Sequence, residues 1–323
     1  MSGEAIPYDL APMLATPGVL PRGGDWVYEV KWDGVRGLIA IDASSPTPIR
    51  VTTRLGNDAT GAYPELRGLP DMLGDTAVLL DGEIVAFDQG KPSFGKIQER
   101  IGVRGPDAEA RALMNPVVFV VFDILHLNGH STRSLPQRDR RALLEQLPLD
   151  AGTSWRLSSV YDDGGMLFES TRAAGLEGVV AKRTDTPYRP GVRSSTWIKI
   201  KHNTVDEFVI GGWVPGEGRR EQAIGALILG RRSRSEPHSR LTFVGKVGTG
   251  FTAAELDRIY RLLKPLQQAT RPFIQDPGER TAVWVEPTES CRVEFHEWTP
   301  AGIVRFPSYK AMVPRTEKEG TFG

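Results

Sequence analysis

Short strand-like runs recur along most of the chain, and this pattern constrains the fold more than any other feature of the sequence. Turn-forming residues separate such runs at residues 26–31, 35–41, 50–54, 77–87, 117–125, 179–181 and 197–201. The pair Asp33-Gly34 predicts a tight turn, with residues 35–41 as the returning strand of a β-hairpin. Helices are predicted to begin near Pro136 and to span residues 164–174. This mixture predicts an α+β fold built on antiparallel sheets.

The pattern changes near residue 203, which we interpret as a domain boundary. Strand candidates beyond it lie at residues 207–214, 223–231, 240–247, 282–286 and 291–298. A helix that follows the N-cap candidate Thr252 separates the third strand candidate from the fourth. Three strands, a helix and two strands are the order of a five-stranded oligonucleotide-binding barrel, the OB fold. The sequence therefore predicts one domain at residues 1–203 and an OB-fold domain at residues 204–323.

Composition and charge exclude several classes of protein. The 323 residues include 40 Lys+Arg and 40 Asp+Glu. This balance disfavours a protein that coats nucleic acid by bulk attraction, although a local basic groove stays compatible with it. The single cysteine, Cys291, excludes an internal disulfide and a Cys-based zinc cluster, and it fits a reducing, cytoplasmic setting. We expect no membrane association, because no apolar run approaches the ~20 residues of a membrane span and the N-terminus lacks a signal-peptide pattern.

The segment around Lys31 carries the clearest indication of chemistry. Lys31 stands at the predicted end of a strand, directly before the tight turn, so its amine is expected to project out of the sheet. Val30 and Trp32 flank it, and apolar surroundings favour the uncharged amine. A free lysine has a pKa of about 10.4, so a nucleophilic lysine needs such help or a cationic neighbour. The alternative interpretation is a surface lysine in a hairpin.

Six short segments in a fixed order resemble the motifs of one enzyme superfamily. The hexapeptide KWDGVR at residues 31–36 resembles motif I of the covalent nucleotidyltransferases, which include DNA ligases, RNA ligases and mRNA capping enzymes. Five further segments resemble motifs Ia, III, IIIa, IV and V. In that order they are TRLG at 53–56, LDGEIV at 80–85, FVVFDILHLNG at 119–129, EGVVAKR at 177–183 and WIKIK at 197–201. Each pattern alone is weak, but six in the family's order form a specific signal.

Within that superfamily, the chain is most similar to the bacterial ligases of non-homologous end joining. This group comprises the ligase module of ligase D and the stand-alone ligase C. The resemblance rests on LAPMLA at 10–15, YRPG at 188–191 and IGGW at 210–213. Since the 323 residues leave no room for a polymerase or nuclease module, the stand-alone form is expected.

The resemblance implies roles for the residues that would handle phosphate. Lys31 would attack the α-phosphorus of ATP, expel pyrophosphate and carry AMP on its nitrogen. Lys199 and Lys201, which face one side of a strand, would contact the α-phosphate oxygens, and an exposed strand face is the alternative. Glu177 and, as a second candidate, Asp33 would hold a Mg²⁺ or Mn²⁺ ion together with phosphate oxygens.

Other residues would bind the nucleoside. Phe122 would stack on adenine, with Phe119 as an alternative stacking residue and core packing as the alternative role. Glu29 would accept a hydrogen bond from the adenine amino group. The resemblance also places Lys182 in the nucleotide site.

The resemblance assigns one carboxylate and two arginines to the sugar and the break. Glu83 would bind the ribose hydroxyls. Arg36 and Arg54 would serve the sugar and the 5′-phosphate of a nick, with the two-pronged contact that lysine lacks.

The implied function is an ATP-dependent DNA ligase that seals 5′-phosphate/3′-hydroxyl breaks through a lysyl-AMP intermediate, in DNA repair or end joining. Its expected partners are nicked or broken double-stranded DNA and a Ku-type end-binding protein. A monomeric, cytoplasmic, nucleoid-associated bacterial protein is expected. The alternatives are an RNA ligase or guanylyltransferase of the same superfamily, and a non-catalytic DNA-binding relative.

The C-terminus departs from the family pattern, in which a terminal Arg-x-Asp-Lys motif reaches the departing pyrophosphate. Aligned without a gap from Tyr309, the motif's arginine position falls on Val313 and its aspartate position on Arg315. A two-residue shift places Arg315 at the arginine position and Glu317 at the aspartate position. Arg315 is therefore a candidate nucleotide-binding residue in the shifted alignment alone, and both alignments remain open.

Overall fold

The computed structural model describes residues 4–149, 152–202, 204–216, 224–232, 240–295, 298–299 and 301–314. The chain divides into two compact units, Met1–His202 and Asn203–Gly323. None of the helices in the described part of the chain is long and apolar enough to cross a membrane.

The first unit combines strands and short helices, as the sequence predicts. Its strands are β1 (Leu14–Pro17), β2 (Trp26–Val30), β3 (Val35–Ile41), β4 (Ile49–Thr53), β5 (Val78–Asp88), β6 (Lys91–Pro92), β7 (Val117–Leu127), β8 (His130–Ser131), β9 (Trp155–Leu157), β10 (Gly178–Arg183) and β11 (Arg193–Lys201). Its α-helices are α1 (Leu69–Leu73), α2 (Phe94–Gln98), α3 (Pro106–Met114), α4 (Gln137–Leu144) and α5 (Gly164–Ala173). Single 3₁₀ turns lie at Thr60–Ala62 and Pro64–Gly68.

These strands form a larger and a smaller sheet. The larger sheet runs in the order β4-β3-β5-β7-β8, with β6 beside β5 and β9 beside β7. The smaller sheet runs in the order β1-β11-β10-β2. Most pairs are antiparallel, which confirms the prediction, while β1–β11 and β7–β9 are parallel.

The predicted hairpin at residues 26–41 is wrong, because its two strands belong to different sheets. Strand β2 pairs with β10 in the smaller sheet, whereas β3 pairs with β4 and β5 in the larger one. Gly34 lies where the chain crosses between them, and a Cβ at this position would lie 2.3 Å from the carbonyl oxygen of Ile84. Close backbone approach therefore requires glycine here. The Asp-Gly pair marks a crossover between two sheets rather than a turn within one sheet.

The two faces of the larger sheet contribute side chains to two separate cores. Phe119 lies on one face, in a core that also contains helix and 3₁₀ residues such as Leu66 and Leu144. Phe122 lies in a second core, with Leu38 and with Trp197 of the smaller sheet. This second core therefore lies between the two sheets.

In its described residues, the second unit is a curled antiparallel sheet with one α-helix. Its elements are β12 (Thr204–Pro215), β13 (Ile224–Arg231), β14 (Thr242–Val247), α6 (Ala253–Leu263), a 3₁₀ turn (Lys264–Leu266), β15 (Val283–Trp284), β16 (Ser290–Phe295) and β17 (Ser308–Met312). The order is β14-β13-β12-β16-β17, with β15 beside β12. The two edges approach each other, since the amide of Tyr309 donates to the carbonyl of Thr249 at 2.9 Å.

The expected elements of this second unit are present, and one was missed. Thr252 caps α6, because its hydroxyl accepts a hydrogen bond from the amide of Glu255 at 3.2 Å. Cys291 is a buried strand residue, as predicted. Strand β17 was not predicted as a strand. Its sequence, SYKAM, is short and only partly alternating, so pairing with β16 decides its conformation.

Candidate functional site

A cavity of about 580 Å³ opens in the first unit, lined by both sheets. Most of the predicted site residues line it, namely Glu29, Lys31, Arg36, Arg54, Glu83, Phe122, Lys182 and Lys199. Glu177 and Lys201 are joined to this set through ion pairs. Asp33 is half-buried in the crossover and is not among the described residues that line the cavity. Arg315 lies outside the described residues.

Lys31 stands at the end of β2 because its amide continues the pairing with the smaller sheet. The backbone N–H of Lys31 donates to the carbonyl of Gly178 at 2.9 Å. Its side-chain amine forms an ion pair with Glu177, the residue just before Gly178. The expectation of an apolar setting is therefore wrong in part, because the backbone bond that places Lys31 also brings the Glu177 carboxylate to its amine.

Glu177 lies between two lysines. Its second oxygen, Oε1, is 2.6 Å from Nζ of Lys201. Burial by itself raises the pKa of this carboxyl, but the two ion pairs outweigh burial and hold its pKa below the ordinary value. Lys199 lines the cavity nearby, and its pKa is lowered by burial and by the positive charges of Lys201 and Lys31. We call Lys31, Glu177, Lys199 and Lys201 the lysine end of the site.

Another part of the cavity is aromatic and more deeply buried. Lys182 and Glu29 form an ion pair of 2.6 Å in which both side chains are 2% exposed. The ammonium of Lys182 lies 4.3 Å from the ring centre of Phe122 and 4.5 Å from that of Trp197. Burial lowers the pKa of Lys182, and the charge of Glu29 opposes that shift. The site thus has a charged pair directly beside two aromatic rings.

Arg36 belongs to the same part of the site. Its guanidinium lies 4.5 Å from the ring centre of Phe122. Asp81 holds it with both oxygens, at 2.5 Å from Nε and 2.7 Å from Nη2. The buried partner Asp81 raises the pKa of Arg36 although burial alone would lower it. We call Glu29, Lys182, Phe122, Trp197 and Arg36 the aromatic end of the site.

Phe122 and Phe119 can now be distinguished. Phe122 lines the cavity, whereas Phe119 is fully buried in the core on the other face of the larger sheet. Phe119 also packs against Gly82, where a Cβ would lie 2.4 Å from its ring. Of these two rings, Phe122 is therefore the one placed to stack on a ligand in this cavity.

Glu83 and Arg54 lie elsewhere on the wall. Burial raises the pKa of the Glu83 carboxyl to about 7, although the positive charges of Arg36 and Lys31 oppose that shift. Arg54 is exposed at the rim, in the turn after β4.

Asp81 and Tyr188 are the residues whose importance the sequence analysis missed. Both fall inside segments that carry the family resemblance, but neither received a role. The hydroxyl of Tyr188 donates to Asp81 at 2.6 Å, and both side chains are buried. The available signal was Asp81 directly after the apolar run Val-Leu-Leu at 78–80 within β5, because a buried carboxylate needs partners.

A cation could be held at the lysine end only with help from a ligand. No group of three or more His, Cys, Asp or Glu side chains suited to a metal ion occurs among the described residues. Glu177 supplies one carboxylate, and Mg²⁺ is commonly bound by one or two carboxylates plus substrate phosphates. The donor set fits an ion that arrives with a polyphosphate, and the cavity as a whole fits a nucleotide.

Comparisons with known proteins point the same way. A family model described as the ATP dependent DNA ligase domain matches residues 12–201. A second model, the ATP dependent DNA ligase C terminal region, matches residues 220–317.

Individual relatives extend this similarity. The multifunctional non-homologous end joining protein LigD of Mycolicibacterium smegmatis is 40% identical over 317 residues, covering 96% of this chain and 39% of that protein. The crystal structure of the ligase domain of Mycobacterium tuberculosis LigD is 37% identical, with a TM-score of 0.56 over 95% of this chain and 96% of that one. A mycobacterial DNA ligase D complexed with ATP and MES is 36% identical, with the same TM-score and coverage. The predicted nucleotidyltransferase domain followed by an OB fold is confirmed.

Proposed function

Because the chain belongs to the ATP-dependent DNA ligase family, we propose that it seals breaks in double-stranded DNA by carrying AMP on Lys31. The observation that carries this proposal is the position of the Lys31 amine. It lines a nucleotide-sized cavity, at a strand end, beside further lysines and one carboxylate.

In the first step, Lys31 attacks the α-phosphorus of ATP. A P–N bond forms, the P–O bond to pyrophosphate breaks, and the amine loses its protons to solvent or to a nearby base. Such displacement depends on in-line positioning and charge neutralisation. Lys199 and Lys201 would supply positive charge to the α-phosphate oxygens, which requires Lys201 to exchange Glu177 for the phosphate.

The aromatic end would hold the nucleoside. Phe122 would stack on adenine, and the Glu29 oxygen not taken by Lys182 would accept a hydrogen bond from the adenine amino group. Arg36 and Glu83 would contact the ribose, and Arg54 at the rim would contact the 5′-phosphate of the break.

A divalent ion, Mg²⁺ or Mn²⁺, would neutralise phosphate charge when bound. Glu177 is the residue to hold it, with Asp33 as a second candidate from the adjacent crossover. Since both Glu177 oxygens contact lysines, one lysine must turn to the nucleotide when an ion is held.

The similarity to LigD proteins of non-homologous end joining supports a proposal for the pathway and the partners. The chain spans 35–39% of the length of the curated LigD relatives that it matches. We infer a role in non-homologous end joining, with a Ku-type partner, as a monomer associated with the bacterial nucleoid.

We propose that the shifted alignment of the C-terminal motif is correct and that Arg315 contacts the pyrophosphate. Support comes from Val313, which would take the arginine's place without the shift. Its side chain is buried, and its amide donates to the carbonyl of Ser290 at 2.9 Å. Arg315→Ala should depress self-adenylylation but spare the sealing of pre-adenylylated nicks. Normal self-adenylylation by this variant would favour the unshifted alignment.

The decisive experiment follows a radiolabel from nucleotide to protein to DNA. Incubation with α-labelled ATP should give an acid-stable, hydroxylamine-labile label on the protein, and GTP should not. Adding a 5′-phosphorylated nick should then move the label to DNA. Labelling by GTP would indicate a guanylyltransferase, transfer to RNA alone would indicate an RNA ligase, and DNA binding without any label would indicate a non-catalytic relative.

A further inference from the structure

A buried chain of hydrogen bonds runs from the backbone at Met13 to the cavity wall. The amide of Met13 donates to the Tyr188 hydroxyl at 2.8 Å, and that hydroxyl donates to Oδ2 of Asp81 at 2.6 Å. Asp81 in turn receives Nε and Nη2 of Arg36. Tyr188 and Asp81 are not among the described residues that line the cavity, whereas Arg36 is.

This chain leaves one part of the guanidinium available. Nε and Nη2 of Arg36 are held by Asp81, and Nη2 also points to the Met13 carbonyl at 3.4 Å. Nη1 has no hydrogen-bond partner among the described residues. The guanidinium carbon lies 4.5 Å from the ring centre of Phe122, so the two bonds to Asp81 and the ring together hold the group. A cavity-lining group with fixed orientation and free donors is suited to a ligand hydroxyl or phosphate.

The hydroxyl of Tyr188 can be removed without loss of the packing contacts that its ring makes. The ring of Tyr188 packs edge-on against Trp197, with the ring centres 5.7 Å apart. Phenylalanine would keep this contact. Without the hydroxyl, Oδ2 of Asp81 would depend on Arg36 alone, so the carboxylate and the guanidinium could turn together.

We propose that Tyr188 is a positioning residue for nucleotide binding, which fixes Asp81 and thereby aims Nη1 of Arg36 at a ribose hydroxyl of ATP. The inference rests on the proposed function, because the ligand is the nucleotide of that same cavity. Tyr188 acts through Asp81 and Arg36 and does not itself touch the nucleotide.

The test compares self-adenylylation of the wild type and Tyr188→Phe with ATP, 2′-deoxyATP and 3′-deoxyATP. With ATP, we expect KM to rise about tenfold and kcat to stay within about twofold, since one hydrogen bond to a charged group is lost. With the deoxy analogue that lacks the hydroxyl contacted by Arg36, the wild-type KM should rise. For that analogue, the KM of Tyr188→Phe should exceed the wild-type KM by less than about twofold. The reason is that the substitution and the missing hydroxyl remove the same interaction, so their effects are not additive.

Tyr161→Phe is the matched control. The Tyr161 side chain is 43% exposed, and its hydroxyl makes no hydrogen bond within the described residues. Its KM values should equal those of the wild type. Asp81→Asn provides a second variant with the same expected dependence on the ribose hydroxyl, so the test survives if Tyr188→Phe does not fold.

Three outcomes would overturn the inference. They are an unchanged KM, a fall in kcat at constant KM, and an equal rise in KM for ATP and both analogues, which would show a general effect on packing. Calorimetric binding of AMP and its deoxy forms separates this inference from the proposed function, because it needs no covalent step. A hydroxyl-dependent loss of AMP affinity without any labelling would refute the proposed function alone.

Discussion

The aromatic end and the lysine end share one cavity, yet their charges are organised differently. At the aromatic end, each charged group has a buried partner that is not itself needed for phosphate chemistry, as in Glu29–Lys182 and Arg36–Asp81. At the lysine end, Glu177 is shared by Lys31 and Lys201, which are 21% and 33% exposed. The aromatic end is therefore preorganised for a ligand, whereas the lysine end must exchange partners when a ligand arrives.

This difference follows from where the residues stand in the sheets. Glu29 and Lys182 lie on paired strands, β2 and β10, with their backbones fixed by the ladder. Lys31 and Glu177 lie just beyond the ends of the same strands. Side chains at strand ends have fewer neighbours and can turn, which suits groups that must change partner during a reaction.

The largest expected effect tests whether the lysine end contains the nucleophile. Lys31→Ala should abolish covalent labelling, because no other amine is held at the end of β2 in the described structure. The same protein should still seal pre-adenylylated nicks, where Lys31 has no attack to make. Lys91→Ala, which removes an exposed amine, serves as the control. Persistent labelling of a folded Lys31→Ala protein would refute the assignment.

The next prediction contrasts stability at the two ends. Lys182→Met leaves the buried Glu29 carboxylate unpaired and should lower the free energy of unfolding by ~3–5 kcal/mol. Lys201→Met should lower it by about 1 kcal/mol or less, because the Lys201 ammonium is partly exposed. Chemical denaturation measures both.

A double variant sharpens this contrast. Glu29→Leu combined with Lys182→Met should recover part of the stability lost in Lys182→Met, since no isolated charge stays buried. If Lys182→Met and Lys201→Met lower the free energy of unfolding equally, the aromatic end is not more preorganised than the lysine end.

Loss of charge at the lysine end should affect rate rather than stability. Glu177→Ala and Lys199→Ala should each reduce labelling ~10²–10³-fold, or ~2.7–4 kcal/mol, as expected when a transition-state contact is removed. Glu169→Ala removes an exposed carboxylate of α5 and should label normally. Near-normal labelling by Glu177→Ala and Lys199→Ala would mean that the phosphate is bound elsewhere.

The smallest effect concerns Glu83, whose pKa is raised to about 7. The protonated form predominates below pH 7 and the carboxylate above it, and the carboxylate accepts more hydrogen bonds from ribose. The KM for ATP should therefore fall severalfold between about pH 6 and 8. A change of this size in the free energy of ATP binding is below ~1.36 kcal/mol, the equivalent of one pKa unit. Glu83→Gln should flatten this dependence. An unchanged pH profile in that variant would assign the titration to another group.

Much of this organisation could be predicted from sequence, and the remainder could not for physical reasons. Strand periodicity and motif order predicted both units and most of the cavity wall. They could not show that the Lys31 amine pairs with Glu177, because those residues are far apart in the chain and meet only through the β2–β10 ladder. Nor could they separate Phe122 from Phe119, because alternation along β7 puts the two rings on opposite faces but does not say which face lines the cavity.

Tyr188 illustrates the same limit. Its hydrogen bond to Asp81 joins residues 107 positions apart, and a tyrosine beside Arg-Pro-Gly carries no local signal of such a partner. Arg36 lines the cavity, and we infer that its orientation depends on that distant contact.

The crossover at Gly34 has a consequence for anyone who would transplant this chemistry. Since β2 and β3 belong to different sheets, the six-residue segment that carries Lys31 is a joint between two walls, not a self-contained loop. Grafted onto a β-hairpin of a designed scaffold, KWDGVR would present its amine with both flanking strands in one plane. Arg36 would then have no opposing wall to close the pocket. A portable version of this site must carry at least one strand from each sheet, at their native spacing.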